Sequence, residues 1–254
     1  MNMIKLKFFD CNCSIGRVAY PLLYDIHDAG GLIKEMDVAG IEEALAYHTL
    51  ARDGHAPLGN KLLLKQIKNI DRLHPVWVLF PHYTRELPEP ELFLKEMKEN
   101  NVSAVRLYPS REFHSFSLSE WCSGELLTAL EENQILLFLD IEIVSWDDIH
   151  TILENHHDLP IIITNCSYRH NRFSYPLMEK YHNLFIELSR YMGAGAIEDF
   201  VRYFGASRLL FGTNMPQYTG TAAVALLTYS DISYDEKETI AGENLKHLLK
   251  KVLL

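Results

Sequence analysis

Cysteine is scarce: four residues in a chain of 254. A chain of that length with so few does not rest on a disulfide framework. Long apolar runs are missing too, and none approaches the roughly 20 residues that span a bilayer. The opening MNMIKLKFFDCNC has two lysines but no signal-type apolar stretch and no small-residue cleavage site. A basic excess is absent: 24 Lys and Arg stand against 34 Asp and Glu, a net charge of −10. That balance argues against a chain that wraps nucleic acid, because phosphate contacts need clustered cations. No GxGxxG turn follows the first apolar run, where the chain reads NCSIGR, so the dinucleotide fingerprint is lacking. There is no internal repeat, low-complexity tract or linker to divide the chain. What is present is globular, with 48% hydrophobic and 23% charged residues. One cytoplasmic domain over 1–254 is expected, without membrane or nucleic-acid partners.

Short apolar runs alternate with helical patterns from end to end. Strands are expected at 4–12, 43–49, 74–81, 103–109, 135–141, 160–165, 183–190 and 208–214. Helices are expected at about 32–39, 59–73, 89–100, 119–133, 146–156 and 195–204, with a helical tail from Thr219. Gly40 fits a helix C-cap, where positive φ is needed. Ser145 fits an N-cap, with Asp147 and Asp148 in the first turn. Eight strands alternating with helices make an α/β fold of the (β/α)8 TIM-barrel type. Several strands are near-continuous apolar runs, as burial on both faces requires.

A barrel of this kind carries its site at the C-terminal strand ends. The polar residues expected there are Asp10, Asn12 and Ser14; Tyr47 and His48; His82 and Tyr83; Arg106 and Tyr108; Asp140 and Glu142; Asn165; Glu187, Ser189 and Arg190; and Asn214. Period-two alternation puts Asp10, Asn12 and Ser14 on one face and turns Cys11 and Cys13 towards the helices.

These runs carry a resemblance. FFDCNCSIG resembles the D-x-H-x-H-x-G opening of the amidohydrolase-related family, the amidohydrolase 2 type within the metal-dependent hydrolase superfamily. MDVAGIEEALAYH, LPIIITN, LLFGTNMP and GENLKHLLKKVL are similar to its later signatures, in order, over nearly the whole chain. The resemblance implies a TIM barrel and a hydrolase or decarboxylase. It also implies metal-binding histidines on strands one, five and six and a catalytic Asp on strand eight. Those positions read Asn12, Ser14, Asp140, Asn165 and Asn214. Zinc takes imidazole, thiolate or carboxylate ligands, and Asn214 cannot take a proton as a general base. The expectation is therefore no metal and no other cofactor. A divalent ion stays open only through non-standard ligands such as Asp140, Glu142 and His82.

Asn12, Ser14, Asn165 and Asn214 either orient a small polar ligand or fill the mouth with water-bonded amides. Asp140 is a candidate general base, its pKa raised by burial or by Glu142; alternatively both carboxylates pair with Arg106 or Arg190. Arg106 suits a carboxylate or phosphate clamp. His82 is the leading acid/base candidate among the histidines, followed by His48. His170 lies within reach of the mouth, and His156 and His157 read as solvent- or dipole-facing residues at a helix end. Cys166 has no base assigned to it. Two functions follow: hydrolysis or decarboxylation of a small carbonyl or carboxylate compound without the usual metal, or a pseudoenzyme that binds a ligand or partner in the mouth. The apolar helices of the tail leave a homo-oligomer open.

Overall fold

A computed structural model describes residues 6–18 and 26–254. Positions 4 and 5 of the first expected strand lie outside the described residues. In chain order the elements are β1 (Phe8–Ile15), α1 (Ala29–Ala39), β2 (Ile41–His48), α2 (Thr49–Asp53), α3 (Ala56–Ile67), β3 (Leu73–Leu79), α4 (Pro90–Glu99) and β4 (Ala104–Leu107). They continue with α5 (Glu120–Glu132), β5 (Leu136–Asp140), α6 (Trp146–Asn155), β6 (Ile161–Thr164), α7 (Asn171–Lys180), β7 (Leu184–Glu187), α8 (Ala196–Phe204) and β8 (Leu209–Leu210). Three further helices close the chain: α9 (Gly220–Thr228), α10 (Tyr234–Glu238) and α11 (Asn244–Leu249).

The eight strands are parallel and ordered β1 to β8. β4, β6 and β7 are buried along their whole length, which is why their sequences carry no polar alternation. Helix ends follow their chemistry. Gly40 ends α1 in the left-handed region with φ of 75°, and Ser145 forms a capping box with Asp148 at the start of α6.

Three departures from regularity shape the site. The first is in β1, whose register against β2 shifts between Asp10 and Cys13. An extra residue in a strand breaks strict alternation. Asp10 and Cys13 therefore come together, the thiol donating to Asp10 Oδ2 at 3.0 Å. This corrects the expectation that Asp10 shares a face with Asn12 and Ser14 and that Cys13 points away.

The second is between β2 and β3. Their ladder ends at Ala46 and Pro75, and proline has no N–H to extend it. Asn60 of α3 takes over, its amide accepting from Val78 N–H and donating to Val78 C=O, both at 3.0 Å. The third is at closure. β8 has two residues, and then Phe211 N–H turns to Ile240 C=O in the π-helical turn Thr239–Glu243. β1 meets this edge through Cys11 N–H to Phe211 C=O and Ser14 N–H to Met215 C=O, both 2.9 Å.

α7 was not expected from the sequence. Its segment, NRFSYPLMEK, is polar and carries Pro176 inside the helix. Proline normally argues against a helix interior. No helix among the described residues is long and apolar enough to cross a membrane.

Candidate active site

A cavity of about 480 Å³ opens at the C-terminal ends of the strands. Its wall includes Ser14, Tyr47, Arg52, Arg106, Tyr108, Asp140, Asn165 and Asn214. β4 delivers Arg106, which is buried. Its Nη2 donates to Asn12 Oδ1 at 2.6 Å and its Nη1 to Tyr108 Oη at 3.4 Å. The guanidinium carbon lies 4.7 Å from the centre of the Tyr47 ring and 5.1 Å from that of Phe138. Both rings offer negative faces to the cation. Burial works against the charge, but the Tyr108 and Tyr47 hydroxyls outweigh it and hold the pKa above its ordinary value. Among the described residues Arg106 makes no ion pair.

Elsewhere on the wall two asparagines lead to a carboxylate. Asn214 Nδ2 donates to Asn165 Oδ1 at 2.9 Å, and Asn165 Nδ2 donates to Asp140 Oδ2 at 2.6 Å. Both asparagines have positive φ, 56° and 57°. Asn adopts that region more readily than most residues. Asp140 Oδ1 accepts the Glu142 N–H at 2.9 Å. Burial raises the Asp140 pKa, while Asn165 and then Arg106 oppose the rise. Glu142 lies past the end of β5 and pairs with Arg190.

Beneath this wall Asn12 Nδ2 donates to Glu187 Oε2 at 3.0 Å. Glu187 is fully buried and also accepts the Ser189 N–H and, at 2.9 Å, the Ser189 hydroxyl. Its carboxylate lies against Gly212, where any Cβ would collide with it. Asp10, equally buried, accepts from Asn12 N–H, Thr213 N–H, Thr213 Oγ1 and Cys13 Sγ. Burial pushes Asp10 up to about 6 and Glu187 up to about 7. The two charges also repel each other, so ionising either makes the other harder.

Arg106, Asp140, Asn165, Asn214 and Ser14 therefore share one cavity, and Asn12 lies directly below, bonded to Arg106. The two histidines go elsewhere. His82 opens a short 3-10 turn after β3, lies against the tilted ring of Tyr83 with centres 4.5 Å apart, and lines a separate surface hollow with Arg85 and Glu89. His48 accepts the Leu50 N–H at 3.1 Å and so caps α2; burial lowers its pKa. Neither is on the cavity wall, which corrects their expected place at the mouth. His156 is also corrected: it is buried, with Nδ1 2.9 Å from Glu131 and Nε2 3.1 Å from Glu120. Sequence reasoning missed Arg52, whose Nη1 donates to Tyr47 Oη at 3.1 Å while its other nitrogens pair with Asp53. Its signal was position, one turn past the end of β2.

No protein-family model matches the chain, and no curated protein matches it significantly. Solved structures do. A 2,6-dihydroxybenzoate decarboxylase from Rhizobium is similar at 15% identity and a TM-score of 0.73, over 97% of this chain and 99% of that one. A putative 2-pyrone-4,6-dicarboxylic acid hydrolase from Pseudomonas putida matches at 16% identity and 0.71, over 98% and 99%. A dihydroxybenzoic acid decarboxylase from Polaromonas, solved with manganese and the inhibitor 2-nitroresorcinol, matches at 14% and 0.68, over 97% of each chain.

The chain has the TIM-barrel fold of these proteins. At such identities the likeness is one of fold. Two of the similar structures hold manganese, and that corrects the expectation of no cofactor: barrels of this fold do carry a metal. The side chains here fit such an ion poorly. Among the described residues no three His, Cys, Asp or Glu side chains gather as a metal-holding group. Asn12, at the strand-one position, has its amide engaged on both sides, by Glu187 and by Arg106.

Proposed function

We propose that the barrel mouth binds a small carboxylate or carbonyl compound and cleaves it, by hydrolysis or by loss of carbon dioxide. Arg106 is the anchor for the substrate's negative oxygen. A guanidinium offers a flat fork of donors that matches a carboxylate, and that of Arg106 is buried and meets no carboxylate partner among the described residues. That buried cation, without a direct ion pair among the described residues, is the observation that carries the reading. The decarboxylases and the hydrolase of the same fold, whose names specify carboxylic acids, lend it support.

Asp140 is the proton-transfer group. A carboxyl whose pKa is raised by burial holds a proton to higher pH than usual and can give it to a carbon or oxygen that gains electrons. As carboxylate, it can take a proton from an attacking water. Asn165 and Asn214 hold it in place and offer N–H groups to the substrate's polar atoms. Ser14, and Asn12 through Arg106, complete the binding side. His82 takes no part, because it does not line the cavity.

A turnover screen of carboxylic acids, lactones and esters tests the proposal, together with two variants. Arg106→Met loses binding of carboxylates by about tenfold or more, the difference made by one charge-assisted contact. Asp140→Asn keeps binding and loses turnover, by about a hundredfold or more if it supplies acid–base catalysis. Tight binding with no turnover of any acid, lactone or ester would instead favour a pseudoenzyme.

A further inference from the structure

Asn12 stands between Glu187, which only accepts when it is ionised, and Arg106, which can only donate. Glu187, as carboxylate, offers oxygens; Arg106 offers N–H groups. The amide therefore has one workable orientation, with Nδ2 to Glu187 at 3.0 Å and Oδ1 to Arg106 at 2.6 Å. Glu187 does not depend on Asn12 for its own position. The Ser189 N–H and hydroxyl grip it, and it fills the space that a side chain at Gly212 would need.

The chemistry of the spacer matters more than its shape. A carboxylate at position 12 would bond Arg106 equally well, but as an ion pair it would cancel most of the guanidinium's charge at close range. An amide fixes the guanidinium and leaves the charge in place. We propose that Asn12 is a neutral spacer which positions Arg106 for an incoming carboxylate without neutralising it, and that Glu187 sets which way the Asn12 amide faces. This rests on the reading of Arg106 as the carboxylate anchor and adds the residues that determine its selectivity for anions over neutral ligands. Asn12 and Glu187 are positioning residues, because they act through Arg106.

The variants separate charge from packing. Asn12→Asp keeps the volume and the bond to Arg106 but sets two carboxylates against each other. Glu187→Gln keeps its acceptor oxygen on the Ser189 N–H and turns its own NH2 towards Asn12. The Asn12 amide must then reverse and present N–H groups to Arg106. The double variant Asn12→Asp, Glu187→Gln restores a complementary chain, in which the introduced carboxylate accepts from both sides, at unchanged total charge.

The test is calorimetric titration of the full chain with benzoate, and with benzamide as its neutral counterpart, alongside thermal unfolding of each protein. The wild type is expected to prefer benzoate by about tenfold or more, and Arg106→Met to lose that preference. Asn12→Asp and Glu187→Gln are expected to lose most of it. The double variant is expected to regain the wild-type Tm while still failing to prefer benzoate, a split that a purely structural role does not produce. If either single variant fails to fold, the double variant carries the test. A double variant with the wild-type preference overturns the spacer proposal. An Arg106→Met protein that still prefers benzoate, or a wild type with no preference, overturns the anchor reading beneath it.

Discussion

Asn165 and Asn214 show how one residue type can do two jobs at a strand end. Each leaves its strand with positive φ, at 57° and 56°, and each contributes an amide to the line that ends on Asp140. Their presence at the mouth was legible in the sequence, because the strand ends could be counted. Their hydrogen bonds to one another were not, since nothing in a single sequence gives the turn that brings β6 and β8 ends together. The histidines illustrate the opposite error. His82 and His48 were singled out for their chemistry, yet the short turns after β3 and β2 direct them to a surface hollow and to a helix cap. Replacing Asn165 by Gly is expected to preserve the fold, because glycine adopts φ near 57° without strain. It removes the donor that opposes the rise in the Asp140 pKa. Asp140 should therefore titrate at still higher pH than in the wild type, which carboxyl ¹³C NMR measures directly. Asn165→Ala should be about 1 kcal/mol less stable than Asn165→Gly, because alanine carries a Cβ in the left-handed region without the polar side chain that lets Asn tolerate it.

At the scale of elements, eight strands were readable because parallel strands buried on both faces are apolar runs of the right length. Their irregularities were not readable, and these set the site. The shift within β1 turns Asp10 towards Thr213 and Cys13, leaving Asn12 alone to face Arg106. The gap between β2 and β3 is bridged by a side chain from α3, a long-range contact with no local signal. α7 was hidden by its proline. The gap makes a firm prediction. Asn60→Ala removes both partners of Val78 in a buried wall, so an N–H and a C=O lose their hydrogen bonds. Leaving buried backbone groups unpaired costs on the order of 2 kcal/mol. Urea unfolding should show that loss as a lower midpoint with an unchanged slope.

The whole molecule carries a net charge of −10, and its barrel interior adds two buried carboxylates beside one buried guanidinium. The composition could announce the acidic surface but not the interior pair, because Asp10 and Glu187 are 177 residues apart in the chain and meet only when the barrel closes. Their protons link folding to pH. Burial raises Asp10 from 3.8 to about 6 and Glu187 from 4.5 to about 7. As pH rises from about 4 to about 7, the unfolded chain releases these protons first and the folded barrel keeps them. The stability they confer is thus complete below the unfolded values and is lost as pH climbs through the folded ones. Two histidines, His48 and His114, pull the other way. Burial lowers the pKa of His48 and of His114, so folding resists their protonation and their share is lost as pH falls. A wild-type Tm profile sums both trends, and a variant is needed to isolate the carboxylates. Asp10→Asn cannot ionise, yet its amide can still accept from Thr213 N–H and donate to Thr213 Oγ1. It should flatten the fall in Tm between about pH 4 and pH 6 relative to the wild type, while the contribution of the histidines stays the same in both proteins. Parallel profiles for the two proteins would mean that Asp10 releases its proton as readily in the folded barrel as in the open chain.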